Sequence, residues 1–305
     1  TKKELMMEPR IKNGWLRAIL FMPIWFFAQA IVQGFGVVAI MISSGVNMED
    51  PAAVEAFAEG LGGMSFGSPM MLVMSVLGII SSFGAIWFMM AVINREPLMN
   101  IGLSTENRGK EMLAGLGGAL LFIGGIFLIL WVLGAITVTG SVGFKAEVFM
   151  VSMMLFVAAF NEEIVFRGYL LKNMMDETDN RWIALAGSSV FFALVHSSNP
   201  SVWSTWVPMT ELFAAGFILG ISYTFTKNLW LPTFFHFGWN FFQGLFGFEI
   251  SGMGVDTWKM ISHENTGNVP DIISGGAFGI EGSVISLCCT ILGTYLIFKY
   301  YNDKE

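Results

Sequence analysis

Charge is scarce in this chain: 13% of its 305 residues are charged, 54% are hydrophobic, and the mean hydropathy is +0.65. A soluble domain of this length is excluded by that balance. Cysteine is down to two neighbours, Cys288 and Cys289, which diverge by about 100° on a helix and give no disulfide or metal spacing, so both are packing residues. Histidine is down to three, His196, His236 and His263. No internal repeat or low-complexity tract stands out. The net charge of −7 resides largely in outer loops and says nothing about a nucleic-acid partner; none is expected. Alternating strands are missing too, which excludes a barrel: the apolar runs are continuous, and lipid forces each to satisfy its backbone within itself, as a helix does.

What is present is a series of eight apolar stretches, at 16–43, 69–94, 112–136, 147–171, 183–197, 209–226, 230–248 and 283–301. A helix needs about 20 apolar residues to cross a bilayer, and the fifth and seventh stretches are the shortest and most polar. The expected fold is all-α: a polytopic membrane helix bundle of about eight transmembrane helices, forming a single membrane domain over 1–305. The first stretch is far longer than the apolar region of a secretory signal and is counted as a membrane helix.

Lys and Arg set the orientation. With the N-terminus in the cytoplasm, the inner segments hold thirteen of them, from Lys2, Lys3, Arg10, Lys12 and Arg17 to Lys299 and Lys304, against Lys145 and Lys259 outside. The expectation is a multi-pass protein of the cell membrane with both termini cytoplasmic, and with Trp203 and Trp206 in the outer aromatic belt. The 45–67 loop carries Glu49, Asp50, Glu55 and Glu59 on the outer side, and the 249–282 loop reads as a solvated outer loop, lid or linker. Glycines at 115, 117, 118, 124 and 125 read as small faces for close helix packing.

Against this background three polar stations stand out inside apolar segments. Asn161-Glu162-Glu163-Ile164-Val165-Phe166-Arg167 places two carboxylates and a guanidinium where each costs about 2.5 to 3.5 kcal/mol on insertion scales, so they must be paired, hydrated or working. Glu163 and Arg167 lie four apart on one face and should pair, which leaves Glu162, turned about 100° away, for chemistry. His196 ends a second apolar run. His236 and Asn240, again four apart, make the third station. Glu162 falls midway along its helix, His196 at the far end of its own and His236 nearer the inner face, so tilted or broken helices must bring them together, and Pro232 and Gly238 offer a bend.

Two chemistries use these residues. In one, Glu162 is the general base for a water that His196 positions, while His236 and Asn240 donate to the oxyanion. In the other, Glu162, His196 and His236 form a two-His, one-carboxylate zinc site with an open position for water. The sequence leaves metal-dependent and metal-independent hydrolysis both open.

The order Glu162-Glu163-x-x-x-Arg167, Phe192-x-x-x-His196 and His236-x-x-x-Asn240 resembles the three motifs of the CAAX prenyl protease and bacteriocin-processing (CPBP, Abi) family of intramembrane proteases. The resemblance covers about 147–248, as a catalytic core flanked by the N-terminal helices of 1–111. It implies an intramembrane endopeptidase acting on a peptide or membrane-associated protein, with Glu162 catalytic, His196 acting with it on the water, His236 and Asn240 completing the site, and Glu163 and Arg167 in support. The alternatives are a non-catalytic membrane scaffold or immunity protein of the same fold, and a proton-coupled transporter, for which the chain lacks paired halves. Glu211 reads as hydrated at a membrane interface, in a capping or helix-contact role, and His263 as a loop residue outside the site.

Overall fold

A computed structural model describes residues 8–62, 68–143, 145–255 and 258–304; Lys2 and Lys3, expected at the inner face, lie outside the described residues. The helices are α1 Gly14–Ser43, α2 Pro51–Gly62, α3 Pro69–Phe88, α4 Gly109–Val132, α5 Glu147–Glu163, α6 Lys172–Glu177, α7 Arg181–Val195, α8 Val207–Thr226, α9 Trp230–Leu245, α10 Asp271–Ser274 and α11 Val284–Asn302. Two of them run on through π-helical turns, α3 into Met89–Asn94 and α5 through Ile164–Leu171 into α6. The all-α membrane bundle expected from composition is the fold.

Among the described residues six helical segments are long and apolar enough to cross a membrane: Gly14–Ser43, Pro69–Asn94, Gly109–Val132, Glu147–Glu177, Val207–Thr226 and Val284–Asn302. The expected count of eight is corrected to six. The two that drop out are α7 and α9, with 15 and 16 residues, which rise only about 22 to 24 Å against a hydrocarbon core of about 30 Å. Both sit among the long helices, α7 along α8 and α9 between α4 and α5. Their sequences explain it: α7 is bounded by the Asn180 side-chain cap and the turn that begins at His196, and α9 buries Thr233, His236 and Gln243 as well as aromatic rings.

One seam of close helix approach lies between α4 and α9. A Cβ on Gly115 of α4 would lie 2.7 Å from the Leu231 carbonyl oxygen and 2.8 Å from the Phe235 amide nitrogen of α9, so only glycine permits that contact. From α9, Gly238 answers against Ala119. The packing role expected of the glycines is confined to part of the set, since positions 117 and 125 face open space.

Both long loops hold structure the sequence did not announce. Within 45–67 lies α2, opened by Asp50, whose Oδ1 accepts from the Ala52 amide at 3.0 Å. Strand β1 Ile136–Ser141 pairs antiparallel with β2 Ile261–Asn265, its β-branched run Ile136-Thr137-Val138-Thr139 suiting a strand better than the helix end expected at 136. Cys288 and Cys289 are free thiols.

Candidate active site

Arg167 is the residue around which the site is built. It is 1% exposed, and its Nη1 donates to Glu163 Oε1 at 2.8 Å one helical turn back, while Glu163 is wholly buried. The guanidinium also lies over the Phe192 ring of α7, 4.6 Å from its centroid, and Nη2 donates to the Gly216 carbonyl of α8 at 3.4 Å. One cation therefore touches α5, α7 and α8. The π turn begins right after Glu163 and carries Arg167, and the Phe166 carbonyl within it accepts from the Ser188 hydroxyl of α7 at 2.9 Å.

Glu163 and Phe192 in turn orient the two histidines. His236 Nδ1 donates to the same Glu163 Oε1 at 2.8 Å, and His196 Nδ1 donates to the Phe192 carbonyl at 2.7 Å. A carbonyl and a carboxylate only accept, so both rings carry their proton on Nδ1 and, when neutral, present a lone pair at Nε2. Both Nε2 atoms face one point: Glu162 Oε2 lies 3.8 Å from each. That separation is beyond hydrogen-bond range, and Glu162 Oε2 is buried with no hydrogen-bond partner among the described residues.

The three histidine and glutamate groups open onto a cavity of about 390 Å³, lined also by Asn161 and Asn240. All four residues expected to be catalytic, Glu162, His196, His236 and Asn240, thus come together, with Glu163 and Arg167 packed behind them. Convergence is achieved by the early end of α7 at His196 rather than by a bend at Pro232 or Gly238, since α9 is helical from Trp230 to Leu245.

The donor set of Glu162, His196 and His236 has the composition of a zinc site, and both Nδ1 bonds are of the kind that fix a ligating imidazole. Among the described residues no ready-made group of three His, Cys, Asp and Glu ligands is present. With zinc bonds of about 2.0 to 2.2 Å, two ligands of a tetrahedral ion stand about 3.4 Å apart, so the 3.8 Å separations are wider than that geometry yet within reach of one common ion.

Two further acids line the same cavity and were not part of the expected site. Glu211 of α8 is 2% exposed, not hydrated at an interface, and its Oε1 accepts from the Ser286 and Thr290 hydroxyls of α11 at 2.9 and 2.7 Å. Glu281, in the second long loop, accepts from the Ser251 amide at 2.7 Å and hydroxyl at 3.0 Å. An acid inside the apolar run of α8 was the one visible signal for Glu211. For Glu281 there was none, because it is one of several acids in a loop read as solvated. His263 stays outside the site: it lies in β2, its ring tilted against that of Phe248.

Comparison with protein families matches residues 144–242 to the family described as type II CAAX prenyl endopeptidase Rce1-like. That segment runs from before Glu162 to beyond Asn240, and it is the family that the three motifs resemble. The chain is thus a multi-pass membrane protein whose 144–242 region is similar to a CAAX-type protease family. No curated protein matches the chain.

Proposed function

We propose that the chain is an intramembrane endopeptidase that hydrolyses a peptide bond in a peptide or membrane-associated protein, using a water activated by Glu162. The observation that carries this reading is the unpartnered Glu162 Oε2 standing 3.8 Å from two imidazole Nε2 lone pairs, a gap that a single water bridges. In the reaction Glu162 takes one proton of that water while an Nε2 accepts the other as a hydrogen bond, and the oxygen attacks the substrate carbonyl carbon. Asn240 donates its side-chain amide to the oxyanion, a contact worth on the order of 3 kcal/mol. Collapse of the intermediate breaks the C–N bond, and the proton held by Glu162 passes to the leaving nitrogen. In this reading a neutral His236 accepts at Nε2, and the oxyanion falls to Asn240.

A second reading rests on donor types alone. Zinc held by Glu162, His196 and His236 would polarise the water. Lys and Arg placement supports a cytoplasmic location for both termini.

The test compares protein termini in cells expressing the wild type and Glu162→Gln at equal levels, followed by cleavage of one affected substrate in proteoliposomes with and without a chelator. Termini that disappear only with the variant, and cleavage indifferent to chelation with no bound zinc, are expected. Unchanged termini would move the chain to the scaffold or immunity reading; loss of cleavage on chelation, restored by zinc, would replace the base mechanism with the metal one.

A further inference from the structure

The cavity in front of Glu162 is lined by three carboxylates, Glu162, Glu211 and Glu281, and among the described residues none that lines it is Lys or Arg. Arg167, the nearest guanidinium in the motif, is committed to Glu163, Phe192 and Gly216 behind the cavity wall. An uncompensated acidic lining in a membrane-buried space is costly unless something cationic enters it.

Glu211 makes that requirement specific. Both hydroxyls available to it, those of Ser286 and Thr290, donate to Oε1, and Oε2 has no hydrogen-bond partner although the residue is 2% exposed. Ionised, Oε2 lacks a donor; protonated, its O–H lacks an acceptor. Glu281 is held in place by the Ser251 amide and hydroxyl, both on Oε2. Trp25 and Trp239 add two aromatic rings to the same lining, surfaces on which an ammonium or guanidinium is favoured. Apolar neighbours such as Leu212 and Ala215 would carry the methylene stem of a long side chain.

We propose that Glu211 and Glu281 form a specificity subsite for a basic group of the substrate, a Lys or Arg side chain or a free amino terminus, held in the same cavity as the scissile bond. The proposal rests on the endopeptidase reading. The two acids do not touch the reacting atoms; they select which peptide is presented to Glu162.

The termini that vanish in Glu162→Gln cells define the cleavage sites, and a basic group at one fixed position relative to the cut is expected. Unchanged termini would remove the endopeptidase reading and this subsite with it. Given a cleaved sequence, its peptide and a copy with the basic residue replaced by Gln are compared in proteoliposomes on the unaltered chain, where a drop of at least about tenfold in kcat/KM is expected, mostly in KM. Glu211→Gln and Glu281→Gln should each lower cleavage of the basic peptide more than that of the Gln peptide, so that the ratio of the two falls toward one. Equal cleavage of both peptides by the wild type, or an equal loss on both in each variant, would overturn the subsite while the endopeptidase reading stands.

Discussion

Glu163 shares a single oxygen, Oε1, between an arginine on its own helical segment and a histidine 73 residues downstream, so it serves the fold and the site at once. Removing it strands a buried guanidinium, and Glu163→Ala should destabilise the protein by about 3 to 5 kcal/mol. Adding Arg167→Met to that variant should restore most of the loss, read as the melting temperature in detergent, yet leave cleavage absent because His236 has lost its orienting acceptor. Recovery of cleavage in the double variant would show that Glu163 is only structural. The Glu163 and Arg167 pairing was legible in the sequence as a four-residue spacing. The attachment of His236 was not, because spacing within one helix carries no information about a partner on another. Glu211 was misread for a related reason: an acid near the end of an apolar run looks the same whether it meets water or the hydroxyls of α11.

At the level of elements, the seam between α4 and α9 rests on Gly115. Gly115→Val would push a side chain into backbone atoms of α9 and should lower the melting temperature, by an amount corresponding to about 1 to 3 kcal/mol, whereas Gly117→Val, with nothing within 4 Å, should be close to neutral. Equal effects of the two substitutions would mean that the seam is not a limiting contact. The strand pair offers a second case. Burial, with a smaller contribution from Lys259, holds His263 down to about 4 from an ordinary value of 6.5, and it lies outside the spanning helices. Between those values the unfolded chain binds more protons than the folded one, so the stability His263 contributes is complete above about pH 6.5 and is lost as the pH falls toward 4. Amide exchange across β1 and β2 should quicken over that window, and His263→Phe should flatten the response; an unchanged pH profile in the variant would place the sensitivity elsewhere. The long helices were legible from apolar length. The strand pair was not, since β1 and β2 stand some 120 residues apart in sequence and each is too short to show a period.

Across the whole molecule, lipid-facing and site-facing surfaces are separated cleanly. Large apolar side chains such as Phe35, Leu121 and Val132 are exposed, as a membrane solvent allows, while the polar atoms turn inward. At the Lys172 end of the long Glu147–Glu177 segment a closed polar network ties the bundle together: Arg17 Nε donates to Asn173 Oδ1, which also accepts from Asn94, while Asn94 accepts from the Tyr169 hydroxyl. Arg17 and Asp176 add an ion pair at its rim. Arg17 was counted from the sequence as one of the charges that orient the chain, and in the fold it is buried and fully used. Composition reports how many charges lie near a membrane end, not which of them are spent on packing.

The shortness of α7 has a bearing on the bilayer itself. This helix rises about 22 Å, and the chain then turns through His196 to the exposed indoles of Trp203 and Trp206, which favour the headgroup region. Seating those indoles at their preferred depth pulls the headgroups down along that flank, so the acyl chains beside α7 are compressed relative to those around the 30-residue α1. A thinner membrane next to His196 is the expected consequence, and under the proposed function the length of the surrounding lipid tails would govern how readily water and an extended polypeptide reach Glu162.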